Sequence, residues 1–294
     1  MFNQALSHTP TCSQALAAAQ SLGLERLDVQ LLLLHALGRP DSDRGWLLAH
    51  DGDTLAEDAA SRFRQLSLRR AAGEPLAYIV GSKEFFGLQL QVDGRVLVPR
   101  PDTETLVDWS LEQLAASGMP TGARVLDLGT GSGAIALALK KTRPMLDVTA
   151  VDASTDALAV ASANANRLGL AIHFIEGSWF ENVSGHFHLV ASNPPYVADG
   201  DSHLSALTHE PQSALTAGPD GMNDLRTIID QAPAHLHAHG WLLLEHGYDQ
   251  AAAVRELLVQ RGFGKVQSRT DLAGIRRCSG GCWPGARSTP QTAG

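Results

Sequence analysis

An apolar segment, Phe187 to Ala191, runs into Asn193-Pro194-Pro195-Tyr196, and well upstream another enters the glycine loop Asp127-Leu128-Gly129-Thr130-Gly131-Ser132-Gly133. An amide nitrogen or exocyclic amine is a poor nucleophile because its lone pair is delocalised. A site that alkylates one needs acceptors aimed at both of its N–H bonds. The side-chain oxygen of Asn193 and the carbonyl of Pro194 are two acceptors that can converge on one NH2 group. Two consecutive prolines remove backbone freedom and competing donors, which holds that carbonyl in place. Tyr196 offers a flat face for a planar amide or base. The same four residues also suit a plain turn ending a strand; the glycine loop upstream favours the chemical reading.

Gly-x-Gly-x-Gly between a strand and a helix fits any nucleotide-type ligand on a Rossmann-like sheet. Here the strand reads Ala123 to Leu128, and Ala134 to Leu139 opens the helix. Glycines at 129, 131 and 133 permit a sharp turn and a close approach of ligand to backbone. The next strand, Val148 to Val151, ends in Asp152, a carboxylate placed to accept both hydroxyls of a ribose. Asp152 also has a capping reading, since a helical run follows, but Ser154 or Thr155 can cap instead. The chain has no Gly-Lys-Ser/Thr element for a triphosphate and no second nucleotide-binding half. A ligand with adenosine and no phosphates fits better, and S-adenosylmethionine is the usual one.

These segments, Asp127 to Ala138 and Asn193 to Tyr196, together with Val98-Pro99-Arg100-Pro101-Asp102-Thr103-Glu104, resemble the HemK/PrmC protein-glutamine methyltransferases. The resemblance runs from Thr11 to Arg277. The first two motifs are shared with adenine-N6 methyltransferases; the Pro-Arg-Pro-Asp-Thr-Glu segment is more specific to this family. The resemblance implies an acceptor glutamine in the Gly-Gly-Gln loop of peptide chain release factors, methylated on its side-chain nitrogen. It implies cofactor contacts from Gly129, Thr130, Gly131, Ser132, Gly133, Asp152, Trp179 and Asn193. It gives Asn193, Pro194 and Tyr196 the catalytic role and places Asn193, Pro194, Pro195, Tyr196 and Glu210 on the substrate side. Arg100, Thr103 and Glu104 belong near the pocket mouth. Ser178 departs from the pattern, since the family usually carries Asp there, and it is left out of the site.

The 294 residues exceed the usual single domain. Residues 1–75 read as a helical substrate-recognition domain, with helices Ser13–Ser21, Leu24–Leu37 and Leu55–Ala72. Residues 76–101 read as a β-hairpin linker, because Phe85–Val92 and Arg95–Val98 flank Asp93-Gly94. Residues 102–282 read as the methyltransferase domain and 283–294 as a disordered tail rich in Gly, Pro, Ser and Thr. Helices and strands alternate after Glu104, so the fold class is α/β, a class I Rossmann-like sheet. Its strands fall at 123–128, 147–151, 171–175, 187–192, 240–245 and 264–270, with a last antiparallel one at 274–279. The long segment Val197–Asn223 is expected to cover the acceptor site.

A net charge of −8 does not suit a protein held on nucleic acid by phosphate neutralisation, so no direct nucleic-acid binding is expected. Arg62, Arg64, Arg69 and Arg70 read as a solvated helix face. Cys12, Cys278 and Cys282 make no disulfide framework and imply a reducing compartment. His235, His237 and His239 lack the further ligands a metal needs and read as solvent-facing. With no targeting or membrane-spanning segment evident, the expectation is a cytoplasmic protein without metal. Two rival functions stand beside glutamine methylation: adenine-N6 methylation of a flipped base, and a non-catalytic adaptor that binds a translation factor. The adaptor has no need of Gly129, Gly131, Gly133, Asp152 and Asn193 together.

Overall fold

Leucines and alanines at helical spacing collapse the first part of the chain onto a core of its own. The structure, a computed structural model, describes residues 9–116 and 118–285. The chain divides into two units, Met1–Ser82 and Lys83–Gly294. In the first, helices α1 (Cys12–Gln20), α2 (Arg26–Ala36), α3 (Arg44–Ala49), α4 (Glu57–Ala71) and α5 (Leu76–Val80) enclose Leu32, Leu33, Leu47 and Phe63. A capping box between Thr11 and Gln14 starts α1. α5 buries Ile79 in this core, so the helical unit runs past residue 75. On α4, Arg62 pairs with Asp58, Arg69 with Glu74 and Arg70 with Asp28 of α2.

The second unit begins with the paired strands β1 (Ser82–Phe85) and β2 (Leu88–Gln91). Here the structure corrects the hairpin expected at Asp93-Gly94. The chain reverses at Phe86-Gly87, both at positive φ (49° and 75°), as a two-residue hairpin turn requires. Asp93 instead accepts the backbone N–H and the guanidinium of Arg95, a local turn. Residues 95–98 do not return as a strand because the N–H of Val98 donates to a side chain, the Glu210 carboxylate, at 3.0 Å.

Then follow α6 (Glu104–Ala115), β3 (Arg124–Leu128), α7 (Ala134–Thr142), β4 (Asp147–Asp152), α8 (Thr155–Leu168), β5 (His173–Glu176) and β6 (Phe187–Ser192). After these come α9 (Asn223–Gln231), β7 (Leu236–Glu245), α10 (Ala251–Arg261), β8 (Gly264–Thr270) and β9 (Arg276–Cys282). The sheet order is β5-β4-β3-β6-β7-β9-β8, parallel except for β9, which is antiparallel to both its neighbours. This is the class I order the strand count called for, and both faces are covered. Trp109, Leu137 and Leu189 belong to one apolar layer, Leu126, Ile228 and Leu258 to the other. Fully burying one such side chain contributes about 1.5–3 kcal/mol.

β7 begins four residues before the expected 240, and the alternating histidines lie at that start. The β6–β7 register slips between Phe187 and Leu189, with His239 at a φ of 68°. His237 and His239 are exposed, while His235 is half-buried and stacks on Phe180 at 4.6 Å. Among the described residues no group of three or more His, Cys, Asp or Glu is placed to hold a metal. The three cysteines are free and buried. Of the expected tail, 283–285 are described, and Trp283 exchanges backbone bonds with Gly240 and His239; residues 286–294 lie outside the described residues. No described helix is long and apolar enough to cross a membrane.

Candidate active site

The carboxyl ends of β3, β4 and β6 open into a cavity of ≈ 450 Å³, a volume suited to a nucleoside-sized ligand. Backbone geometry builds its floor. The N–H groups of Gly129 and Thr130 both donate to Val151 of β4, so the loop folds over the neighbouring strand before α7 starts. Gly133 sits at a φ of 85°, and a Cβ there would come within 2.9 Å of Leu137. Gly129, Thr130, Gly131 and Ser132 line the cavity; Gly133 stands behind them as the hinge into the helix. Asn164 of α8 is fully buried and holds the loop from below. Its Nδ2 donates to the carbonyls of Ser132 and Gln91, and its Oδ1 accepts the Gln91 N–H.

Asp152 ends β4 at the cavity wall. Its Oδ2 accepts the N–H of Gly131 at 2.8 Å and its Oδ1 that of Ser154 at 2.9 Å, while Ser154 itself caps α8. Asp152 is therefore not the helix cap, and each oxygen keeps a lone pair for a ligand hydroxyl. Beneath the loop, Asp127 is fully buried. It accepts from the Thr130 hydroxyl at 2.6 Å and from Ala136 N–H at 3.2 Å, while its Oδ1 has no partner. Burial pushes its carboxyl up to about 7, the two hydrogen bonds opposing that shift.

Trp179 adopts a φ of 52° and brings its ring over Gly129, where a Cβ would touch it at 3.4 Å. It shares the cavity wall with Asp224, whose carboxyl is raised by burial, with Trp179 opposing that shift. Sequence reasoning missed Asp224 and Asn164; an acid in a first helical turn and an Asn within α8 carry no motif.

On the acceptor side, Ser192 ties the ends of two strands together by donating to the Leu128 carbonyl. One residue later Asn193 reaches the cavity, and its Nδ2 donates to the Thr103 hydroxyl at 3.2 Å. Asn193 Oδ1 and the Pro194 carbonyl accept no hydrogen bond among the described residues. Pro195 reaches the cavity wall with Asn193, while Pro194 and Tyr196 do not. Tyr196 is half-buried against the α9/α10-side core, and its hydroxyl lies 3.5 Å from Glu245. Burial, reinforced by the Glu245 charge, raises its phenol, so it stays neutral and a donor.

Glu210 departs from the role expected of it. Its side chain is 2% exposed, and both oxygens are engaged, by Val98 N–H and by the Arg100 guanidinium. A carboxylate so enclosed is not open to a peptide. It fastens the 95–100 segment to the 197–223 segment instead. The latter contains two 3-10 turns, Ser202–Ala206 and Gln212–Ala214, and a bridge between Val197 and Thr216. Pro211, Ser213 and Ala214 from it form part of the cavity wall, as do Arg100 and Thr103 from the opposite segment.

With that geometry in view, comparison with known proteins is direct. Residues 11–81 match the PrmC N-terminal domain and residues 107–221 the Methyltransferase small domain. A release factor glutamine methyltransferase of Bordetella pertussis is 48% identical, over 88% of this chain and 95% of that protein. One of Xylella fastidiosa is 46% identical, over 92% and 98%. Among solved structures, a methyltransferase from Pyrococcus furiosus aligns with a TM-score of 0.51 and 19% identity, covering 77% of this chain and all of that one. The last likeness speaks for the fold alone.

Proposed function

The chain belongs to the release factor glutamine methyltransferase family, and from that premise we propose that it methylates the side-chain amide nitrogen of a release-factor glutamine, held at Asn193, with S-adenosylmethionine as donor. The observation that carries this reading is the unengaged acceptor Asn193 Oδ1 on the wall of the cavity that the glycine loop and Asp152 also line.

S-adenosylmethionine, when bound, supplies an electrophilic methyl group. The cavity fits it: Trp179 presents a flat indole on the cavity wall, and Asp152 has acceptors for ribose hydroxyls. Asn193 and Pro194 accept the two N–H bonds of the incoming amide, which turns its lone pair toward the donor; positioning supplies most of the acceleration. No general base is needed, because the amide nitrogen becomes acidic as it is alkylated and loses its proton to water. Enclosure by Trp179, Pro211 and Ala214 limits water at the reacting atoms.

The acceptor is the glutamine of a Gly-Gly-Gln loop in a folded factor, and the helical unit recognises that factor. In support, every residue lining the cavity comes from the second unit, which leaves the first without a chemical task. The net charge of −8 supports a protein substrate without direct nucleic-acid contact, in the cytoplasm where release factors act. Purified protein given methyl-labelled S-adenosylmethionine should label a release factor and neither DNA nor RNA. Replacing the loop Gln by Ala should remove the label. Efficient, salt-suppressed labelling of nucleic acid would instead support the adenine reading.

A further inference from the structure

The Asn193-Pro194-Pro195-Tyr196 segment is fastened at both ends. At its head Ser192 donates to the Leu128 carbonyl. At its foot the side chain of Gln250, 54 residues along the chain, donates through Nε2 to the Tyr196 carbonyl at 3.0 Å. The same Nε2 reaches the carbonyl of Gly221 at 3.3 Å and that of Asp220 at 3.5 Å. Gln250 immediately precedes α10 but gives that helix no side-chain cap. Its Oε1 instead accepts the N–H of Gly247 at 2.8 Å. Gln250 is half-buried and does not line the cavity.

The partners settle the polarity of this amide. A backbone N–H only donates and a carbonyl only accepts, so Oε1 faces Gly247 and the two Nε2 protons face Tyr196 and Gly221. Those two carbonyls end segments that both reach the cavity. Pro195, next to Tyr196, is on its wall with Asn193, and the segment running to Gly221 supplies Pro211, Ser213 and Ala214. Gly221 is buried at a φ of 69°, and a Cβ there would lie 2.2 Å from the Tyr196 oxygen, so the two backbones are in direct contact. Beyond Tyr196 they stay paired: Val197 N–H donates to Leu215, Ala217 N–H to Val197, and Asp199 N–H to Gly218.

On the reading that this site methylates glutamine, we propose that Gln250 is a positioning residue: it clasps the foot of the Asn193–Tyr196 segment to the Gly221 turn and so fixes Asn193 in register with the 211–214 wall. Two prolines stiffen the segment between Asn193 and Tyr196, so a shift at its foot is passed on to Asn193. A displacement of about 1 Å at a reacting group costs about 10²-fold in rate. The glycine loop and Asp152 are held from β3 and β4 without Gln250, so cofactor binding is independent of the clasp. A role confined to the turn before α10 would rest on Oε1 and Gly247 alone, and the two halves of the amide are separable by substitution.

The test combines single-turnover methyl transfer to a release factor, cofactor affinity, and hydrogen exchange read by mass spectrometry on the same variants. Gln250→Glu keeps an acceptor for Gly247 but sets an oxygen against two carbonyls. It is expected to slow transfer roughly ten- to hundredfold and to speed exchange across 197–217 about tenfold, with cofactor affinity and exchange in α10 as in wild type. Gln250→Lys loses the acceptor but keeps a donor for the carbonyls, and its transfer rate exceeds that of Gln250→Glu. The reverse order, or a wild-type rate in Gln250→Glu, overturns the proposal. Should Gln250→Glu fail to fold, Gln250→Lys is set against Gln250→Ala, which lacks both halves; equal rates in these two overturn it. Failure of the wild type to label the factor would defeat the functional reading, and the exchange data would still judge the clasp. Normal labelling with unaffected variants would defeat only this inference.

Discussion

Asn193 donates through Nδ2 to the Thr103 hydroxyl, 3.2 Å away, and this bond leaves its Oδ1 free in the cavity. The contact joins the end of β6 to the turn before α6, two segments ninety residues apart. It converts an ambivalent side-chain amide into an acceptor. The account of methyl transfer depends on that orientation.

Asn193→Ala removes one of two acceptors aimed at the reacting nitrogen. Transfer should fall by about 10²–10³ while cofactor affinity changes little. Steady-state rates and calorimetry on the same preparation check this, and a loss of tenfold or less would refute the role.

Asp152→Asn replaces one of two acceptor oxygens, and the charge, by an amide. S-adenosylmethionine binding should weaken by roughly 1.5–3 kcal/mol, the range for hydrogen bonds to a charged group. Unchanged affinity by calorimetry would mean that Asp152 serves only Gly131 and Ser154.

Glu210→Ala should destabilise the protein by about 1–3 kcal/mol, because the N–H of Val98, itself buried, loses its acceptor. Glu210→Gln retains an acceptor for Val98 and should cost less. Urea unfolding of both variants distinguishes this latch from a surface charge, whose removal would be almost silent.

Asp127 gives a pH dependence with a definite sign. Its folded-state value of about 7 lies above the ordinary 3.8, so its contribution to stability is present at low pH and lost as pH rises through about 7. Each tenfold displacement of the proton equilibrium is worth about 1.4 kcal/mol. Asp127→Asn should therefore gain stability relative to wild type between acidic and weakly alkaline buffer. Parallel stability curves for the two proteins would contradict the assignment.

Much of the site is legible in the sequence because its parts are contiguous. The glycine loop, Asp152 and Asn193 each follow an apolar strand, and parallel strands deliver their carboxyl ends to one edge. What escapes is what tertiary contact decides. Asp93-Gly94 has the ideal hairpin dipeptide, yet the turn forms at Phe86-Gly87 because Val98 is claimed by Glu210, far along the chain. Glu210 reads as an exposed loop acid until that contact is seen. Tyr196 reads as a substrate platform, but its hydroxyl is drawn back toward Glu245. Asn164 and Asp224 meet neighbours brought by other elements, so no local pattern marks them.

Deleting residues 1–82 separates recognition from chemistry. S-adenosylmethionine affinity should survive largely intact, since the cavity is lined from the second unit, while transfer to a whole release factor should fall sharply. Equal loss of both would show that the helical unit is needed for the fold of the rest.

The most direct measurement is fragment mass spectrometry of a release factor after incubation with the protein and S-adenosylmethionine. The account predicts a single added methyl on the side-chain nitrogen of the glutamine in the Gly-Gly-Gln loop, absent when Asn193→Ala replaces the wild type. A methyl on any other residue, or an unmodified factor beside methylated adenine in added nucleic acid, would contradict it.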